Sequence, residues 1–144
     1  MAGISYNNIV GCPWTLIQIK KIVNQTKKLE SRLDGVVEIN IIDRKEMIYL
    51  NKSFRKKNGV TDVLSFAWRE DSMIKSKMQG QIYICFEQIK KQAKERKISS
   101  REEFSRILIH GLLHLSGYDH KTQQEEKIMF KLQEKILCCL YPDY

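Results

Sequence analysis

No apolar run in this chain is long enough to cross a bilayer. The longest, Ile107 to Leu115, is short and broken by histidine, where a spanning helix needs about 20 apolar residues. The opening MAGISYNNIV has no basic segment followed by a hydrophobic one, so no secretory signal is expected. Paired cysteines are missing too: Cys12, Cys85, Cys138 and Cys139 contain no C-x-x-C, and adjacent Cys138 and Cys139 do not bridge easily. This argues against a disulfide framework and a cysteine zinc site, and implies reduced thiols in a cytoplasmic protein without a membrane partner. Internal repeats, low-complexity tracts and linker-like shifts of composition are also absent. Together with a 42% apolar fraction, that predicts one domain over residues 1–144 with a core of its own.

Acidic residues are in the minority, 17 against 25 lysines and arginines, for a formal net charge of +8. Such a surface attracts polyanions, whether nucleic acid or an anionic membrane face, and charge alone does not choose between them.

Local patterns predict alternating elements. Pro13 suits a first helical turn, and Leu16, Ile19, Ile22 and Val23 recur at helical spacing, predicting a helix from 13 to about 32. Val37, Ile39 and Ile41 alternate with polar residues as a half-buried strand, followed by a helix through Met47, Leu50 and Phe54. TDVLSF and IYICF read as short strands. The stretch Ala67 to Gln79 between them, which includes Trp68, Met73 and Ile74, reads as either a binding loop, the favoured reading, or a locally disordered one. Glu87 to Lys97 reads as a basic helix. Ser100 with Glu103 and Thr122 with Glu125 have the S/T-x-x-E pattern that starts helices. The last helix carries Ile128, Met129, Leu132, Ile136 and Leu140 on one stripe and ends at Pro142.

All three histidines fall within HGLLHLSGYDH. His110 and His114, four apart, lie one turn above each other on a helix. The surrounding leucines and isoleucines predict that this helix is buried, and buried imidazoles need compensation. Gly117 can end the helix in a left-handed conformation and return the chain so that His120 approaches from another direction. Three imidazoles leave one position of tetrahedral zinc open, as in reactive rather than structural sites. Asp119 either orients an imidazole or accepts a backbone bond in the turn. The spacing H-x-x-x-H-x-x-G-x-x-H is that of metzincin peptidases. Those place a glutamate after the first histidine as general base, whereas this chain has Gly111, which disfavours peptide hydrolysis.

HGLLHLSGYDH, preceded by LNKSFRKKNGVTDVLSF and GQIYIC and followed by Met129 and the tail LYPDY, resembles the YbeY-type bacterial endoribonucleases. The resemblance implies an α/β (α+β) fold with a small mixed β-sheet packed with about five helices and a metal site at a buried central helix. It implies one zinc ion on His110, His114 and His120, and a functional arginine at Arg55. It further implies cleavage of single-stranded RNA in 3′-end maturation of small-subunit rRNA and in ribosome quality control. RNA, especially rRNA, and the ribosome or its small subunit are the implied partners. Two positions depart from the family: Ala67 stands where proline is usual, and Gln81 where aspartate is usual.

On this reading zinc polarises a phosphoryl oxygen while Arg55 pairs a non-bridging oxygen, and Arg55, Lys56 and Lys57 bind substrate. Lys52 joins them in one basic cluster; Lys90, Lys91, Lys94, Arg96 and Lys97 form another. The nucleophile, water or the RNA 2′-OH, stays open. Competing readings are an RNA-binding assembly factor without turnover, in which zinc only stabilises the fold, and a metallohydrolase of small substrates.

Overall fold

Val37, Ile39 and Ile41 are fully buried while Val36, Glu38 and Asn40 between them are partly exposed, the alternation of a strand with one face in a core. In the computed structural model, which describes residues 3–68 and 77–142, that strand is β2 (Val36–Ile42). It follows β1 (Ile4–Asn8) and α1 (Leu16–Leu29), and precedes α2 (Arg44–Arg55), β3 (Val63–Ala67) and β4 (Met78–Cys85). Three helices complete the chain: α3 (Phe86–Arg96), α4 (Ser100–Leu115) and α5 (Gln123–Leu140). The sheet runs β1-β2-β4-β3, parallel except for β3, which is antiparallel to β4. The expected mixed sheet with five helices is therefore present.

One sheet face carries the main core, in which Val37, Ile39, Ile41, Ile82 and Ile84 meet Ile19, Ile22 and Val23 of α1 and Leu108, Leu112 and Leu113 of α4. The other face holds a smaller cluster of Ile42, Met47, Leu64 and Cys85, covered by α2. The helix α4 is buried among sheet, α1, α3 and α5, as its near-continuous apolar sequence predicts.

Several boundaries differ from the sequence reading. The first helix starts at Leu16 rather than Pro13, because Thr15 and Gln18 cap it reciprocally: Gln18 N donates to Thr15 Oγ1 at 3.3 Å and Thr15 N to Gln18 Oε1 at 2.8 Å. The strand β1 was not anticipated; its polar composition hides it, and its parallel pairing with β2 supplies its backbone bonds. The cap of α4 is Ser99, whose Oγ accepts from Glu102 N at 3.0 Å, not Ser100. Glu103 turns inward instead, buried against Arg96 at 2.9 Å and Gln92 at 3.0 Å. Thr122 caps α5 as expected, accepting from Glu125 N at 3.1 Å. Of the anticipated binding loop, Met73 and Ile74 lie outside the described residues; Trp68 is exposed, and its backbone N–H donates to Gln79 O at 3.1 Å.

Candidate metal and phosphate site

The C-terminus of α4 builds the site. Gly117 adopts φ +105°, Gly117 N donates to His114 O and Tyr118 N to Leu113 O, both at 3.1 Å. These are the two bonds of a Schellman turn. The turn also orients a ligand, since the Tyr118 carbonyl lies 3.0 Å from His114 Nδ1. A carbonyl only accepts, so Nδ1 carries the hydrogen and Nε2 keeps a lone pair.

His110 is held in the same tautomer from α5. Gln133 Oε1 lies 2.8 Å from His110 Nδ1, while Gln133 Nε2 donates to Glu134 Oε2 at 3.2 Å. The carboxylate must take the amide nitrogen, which leaves the amide oxygen for the histidine. Both Nε2 atoms are thus acceptors, and they face each other 3.1 Å apart. Two lone pairs at that distance repel unless a cation lies between them, and Zn–N bonds of about 2.05 Å at tetrahedral angles place ligand nitrogens about 3.3 Å apart. His120 completes the set, with one ligand atom from each of the three histidines lying within 4.8 Å of the others. Burial, and then the neighbouring His110, hold His114 down to about 4, so its ring is neutral and able to ligate at pH 7. Three histidines that can hold one metal ion therefore converge at the end of α4.

Asp119 resolves to one of its two readings. Its Oδ1 accepts from His120 N at 2.7 Å, a bond within the turn, and this bond is the main cause of its lowered pKa. The position after His110 also has a structural explanation. Gly111 faces the sheet, where a Cβ would meet Ser65 Oγ at 3.1 Å and Ile82 Cδ1 at 3.3 Å. A glutamate there would have to push Ser65 and Ile82 aside, so packing as well as sequence disfavours the peptidase base.

The histidines open into a cavity of about 790 Å³ lined by Thr61, Asp62 and the whole of β3, and by Arg32, Arg55 and Gln79. Arg55, the last residue of α2, thus reaches the same space as the ligands. Lys56 and Lys57 are exposed beyond the helix end, outside this lining; Lys56 takes a left-handed conformation at φ 53°. The second basic cluster lies on α3, away from the cavity, with Arg96 committed to Glu103. Gln81 donates to Glu38 on the sheet face opposite Ile82 and Gly111, so an acid at that position would not address the histidines.

Gln133 and Arg32 escaped the sequence reading. On α5, Ile128 of the apolar stripe is 53% exposed, whereas Gln133 is 6% exposed. A polar residue four after Met129 on a buried stripe is the signal that could have found it.

Comparison with known proteins agrees with this geometry. The family model for Endoribonuclease YbeY matches residues 15–140. Proteins named Endoribonuclease YbeY include one from Malacoplasma penetrans, 37% identical over 83% of this chain and 79% of its own, and one from Staphylococcus saprophyticus, 35% identical over 92% and 90%. A solution structure from Thermotoga maritima superposes with a TM-score of 0.60 at 28% identity, covering 96% of this chain and 87% of that one. With the matched segment carrying all three histidines and Arg55, the chain belongs to the YbeY family of endoribonucleases.

Proposed function

We propose that this endoribonuclease is a single-domain, zinc-dependent enzyme of the cytoplasm that cuts single-stranded rRNA at the 3′ end of the small-subunit precursor, in ribosome maturation and quality control. The observation that supports it most is the pair of Nε2 lone pairs facing each other at 3.1 Å beside an arginine-lined cavity. A single ion on His110, His114 and His120 supplies Lewis acidity at a phosphoryl group. Arg55 reaches the same cavity, and its planar fork suits two non-bridging oxygens of a phosphodiester as charge builds on them. Lys56 and Lys57, exposed at the mouth of α2, add charge that attracts the strand without entering the cavity. Among the described residues no helix is long and apolar enough to cross a membrane.

The test compares the parent with His114→Ala, measuring metal content and cleavage of single-stranded rRNA on the same samples. Near-stoichiometric zinc and cleavage in the parent, both lost in a folded variant, is the expected result. Zinc without cleavage removes the enzymatic reading, and no zinc after re-addition removes the metal. A 2′,3′-cyclic phosphate on the product identifies the RNA 2′-OH as nucleophile.

A further inference from the structure

We propose that Arg32 forms a second phosphate-binding subsite in the histidine cavity, gripping a backbone phosphate of the RNA strand other than the one being cleaved. This deepens the reading of the cavity as RNA-cleaving and rests on it.

Arg32 lies in the connection between α1 and β2, far in sequence from the histidine motif, yet lines the same cavity. Its guanidinium is held from two sides. Nε donates to Glu30 Oε1 at 2.8 Å and Nη2 to Glu30 Oε2 at 3.2 Å, while Cζ sits 4.8 Å from the centre of the Tyr118 ring. The exposures are opposite: the Glu30 side chain is 7% exposed and that of Arg32 58%. A buried carboxylate therefore presents a fixed guanidinium to solvent on the cavity side, unlike a freely moving surface arginine. Nη1 stays outside the fork to Glu30 and passes Gly117, where a Cβ would lie 3.6 Å from it. It is thus delivered to the turn that joins His114 to His120.

The connection itself is tied down. Gln79, 2% exposed, accepts from Gly35 N at 2.9 Å and donates to Leu115 O at 3.0 Å. This fastens the Arg32 segment to the last turn of α4 and to the Ala67 end of β3, which pairs with Gly80. Arg55 enters the cavity from a separate segment, the end of α2, where the neighbouring Phe54 packs edge-on against Phe66 of β3 with ring centres 5.4 Å apart. The two arginines thus enter one cavity from separate segments, with the histidines and β3 on its wall. A polyanion that carries a further phosphate beside the reacting one fits a cavity lined by two arginines, and a guanidinium held in one orientation loses little freedom on taking a phosphate.

The test uses the zinc-loaded full chain, a labelled single-stranded oligoribonucleotide and Arg32→Gln. The expected result is unchanged zinc content, a Kd and KM for the oligonucleotide raised about tenfold, and a log Kd against log salt slope smaller by about 0.7, the share of one phosphate contact. A folded Arg32→Gln protein with the parent's Kd and slope overturns the subsite and leaves the nuclease reading standing. If Arg32→Gln unfolds because Glu30 is left buried and charged, the pair Glu30→Gln with Arg32→Gln removes both charges and is read by the same two outcomes. A zinc-loaded parent that neither binds nor cuts the RNA overturns the nuclease reading and the subsite together.

Discussion

Gln133 on α5 and His110 on α4 meet at 2.8 Å, amide oxygen to Nδ1, and this contact sets which nitrogen of His110 faces the other imidazoles. The histidine motif supplies the ring; a residue from the next helix sets its tautomer.

Replacing that amide therefore weakens metal binding more than folding. Gln133→Leu is expected to lower zinc affinity by about 10- to 100-fold, measured by competition with a coloured chelator. Gln133→Glu keeps an acceptor for His110 but loses the donor to Glu134, so it is expected to hold zinc more tightly than the Leu variant while folding less stably than the parent. Equal affinity in the Leu variant would show that the contact is idle.

Metal removal should be visible in stability. Zinc at a hundred times its Kd stabilises the native state by about 2.7 kcal/mol, which for a chain of this size raises Tm by roughly 5–10 °C. Thermal unfolding with zinc and with chelator should show the shift in the parent and none in His114→Ala.

Arg106 ties α4 to α5, donating to Glu134 at 3.0 Å and Glu102 at 2.9 Å, and its side chain is 12% exposed. Arg106→Ala leaves Glu134 and Glu102 short of this cation, while the buried Glu103, 3.5 Å from Arg106, keeps Arg96. A loss of about 3 kcal/mol is expected, read as the shift in urea midpoint.

Gly80 sits where β4 meets β3 and α4 most closely; a Cβ there would collide with the Phe66 carbonyl oxygen and lie 2.6 Å from Leu115 Cδ2. Gly80→Ala must displace the β3 backbone that lines the cavity. A cost of about 3 kcal/mol or more is expected from overpacking, with zinc-loaded cleavage reduced in whatever fraction folds.

The Glu30–Arg32 pair predicts a pH dependence. The hydrogen bond from Arg32 is the chief cause that holds the Glu30 carboxyl at about 2, below its ordinary 4.5. A depressed carboxylate stabilises the fold above its unfolded value and loses that contribution as pH falls from 4.5 toward 2. Glu30→Gln should therefore be less stable than the parent at pH 7, by about 1 kcal/mol given the solvent around Arg32. The gap should narrow below about pH 4.5 and close near pH 2; a gap independent of pH in denaturant titrations would assign it to packing instead.

The cluster of three histidines was legible in the sequence by itself, because every relation involved is local. A spacing of four puts His110 and His114 on one helical face, and a glycine three residues on supplies the positive φ that brings His120 back. Strand alternation in β2 and the cap at Thr122 were legible for the same reason, the pattern and its cause lying within one turn or one pleat. Tertiary structure decided the rest. Polar β1 is a strand because β2 offers it a parallel edge, and Glu103 leaves its expected capping role because Arg96 and Gln92 reach it from α3. Packing disfavours a larger residue at Gly111 because α4 lies against Ser65 and Ile82. Gln133, Arg55 and Arg32 come to the histidines from three other segments, and no periodicity within a segment encodes the distance between two of them.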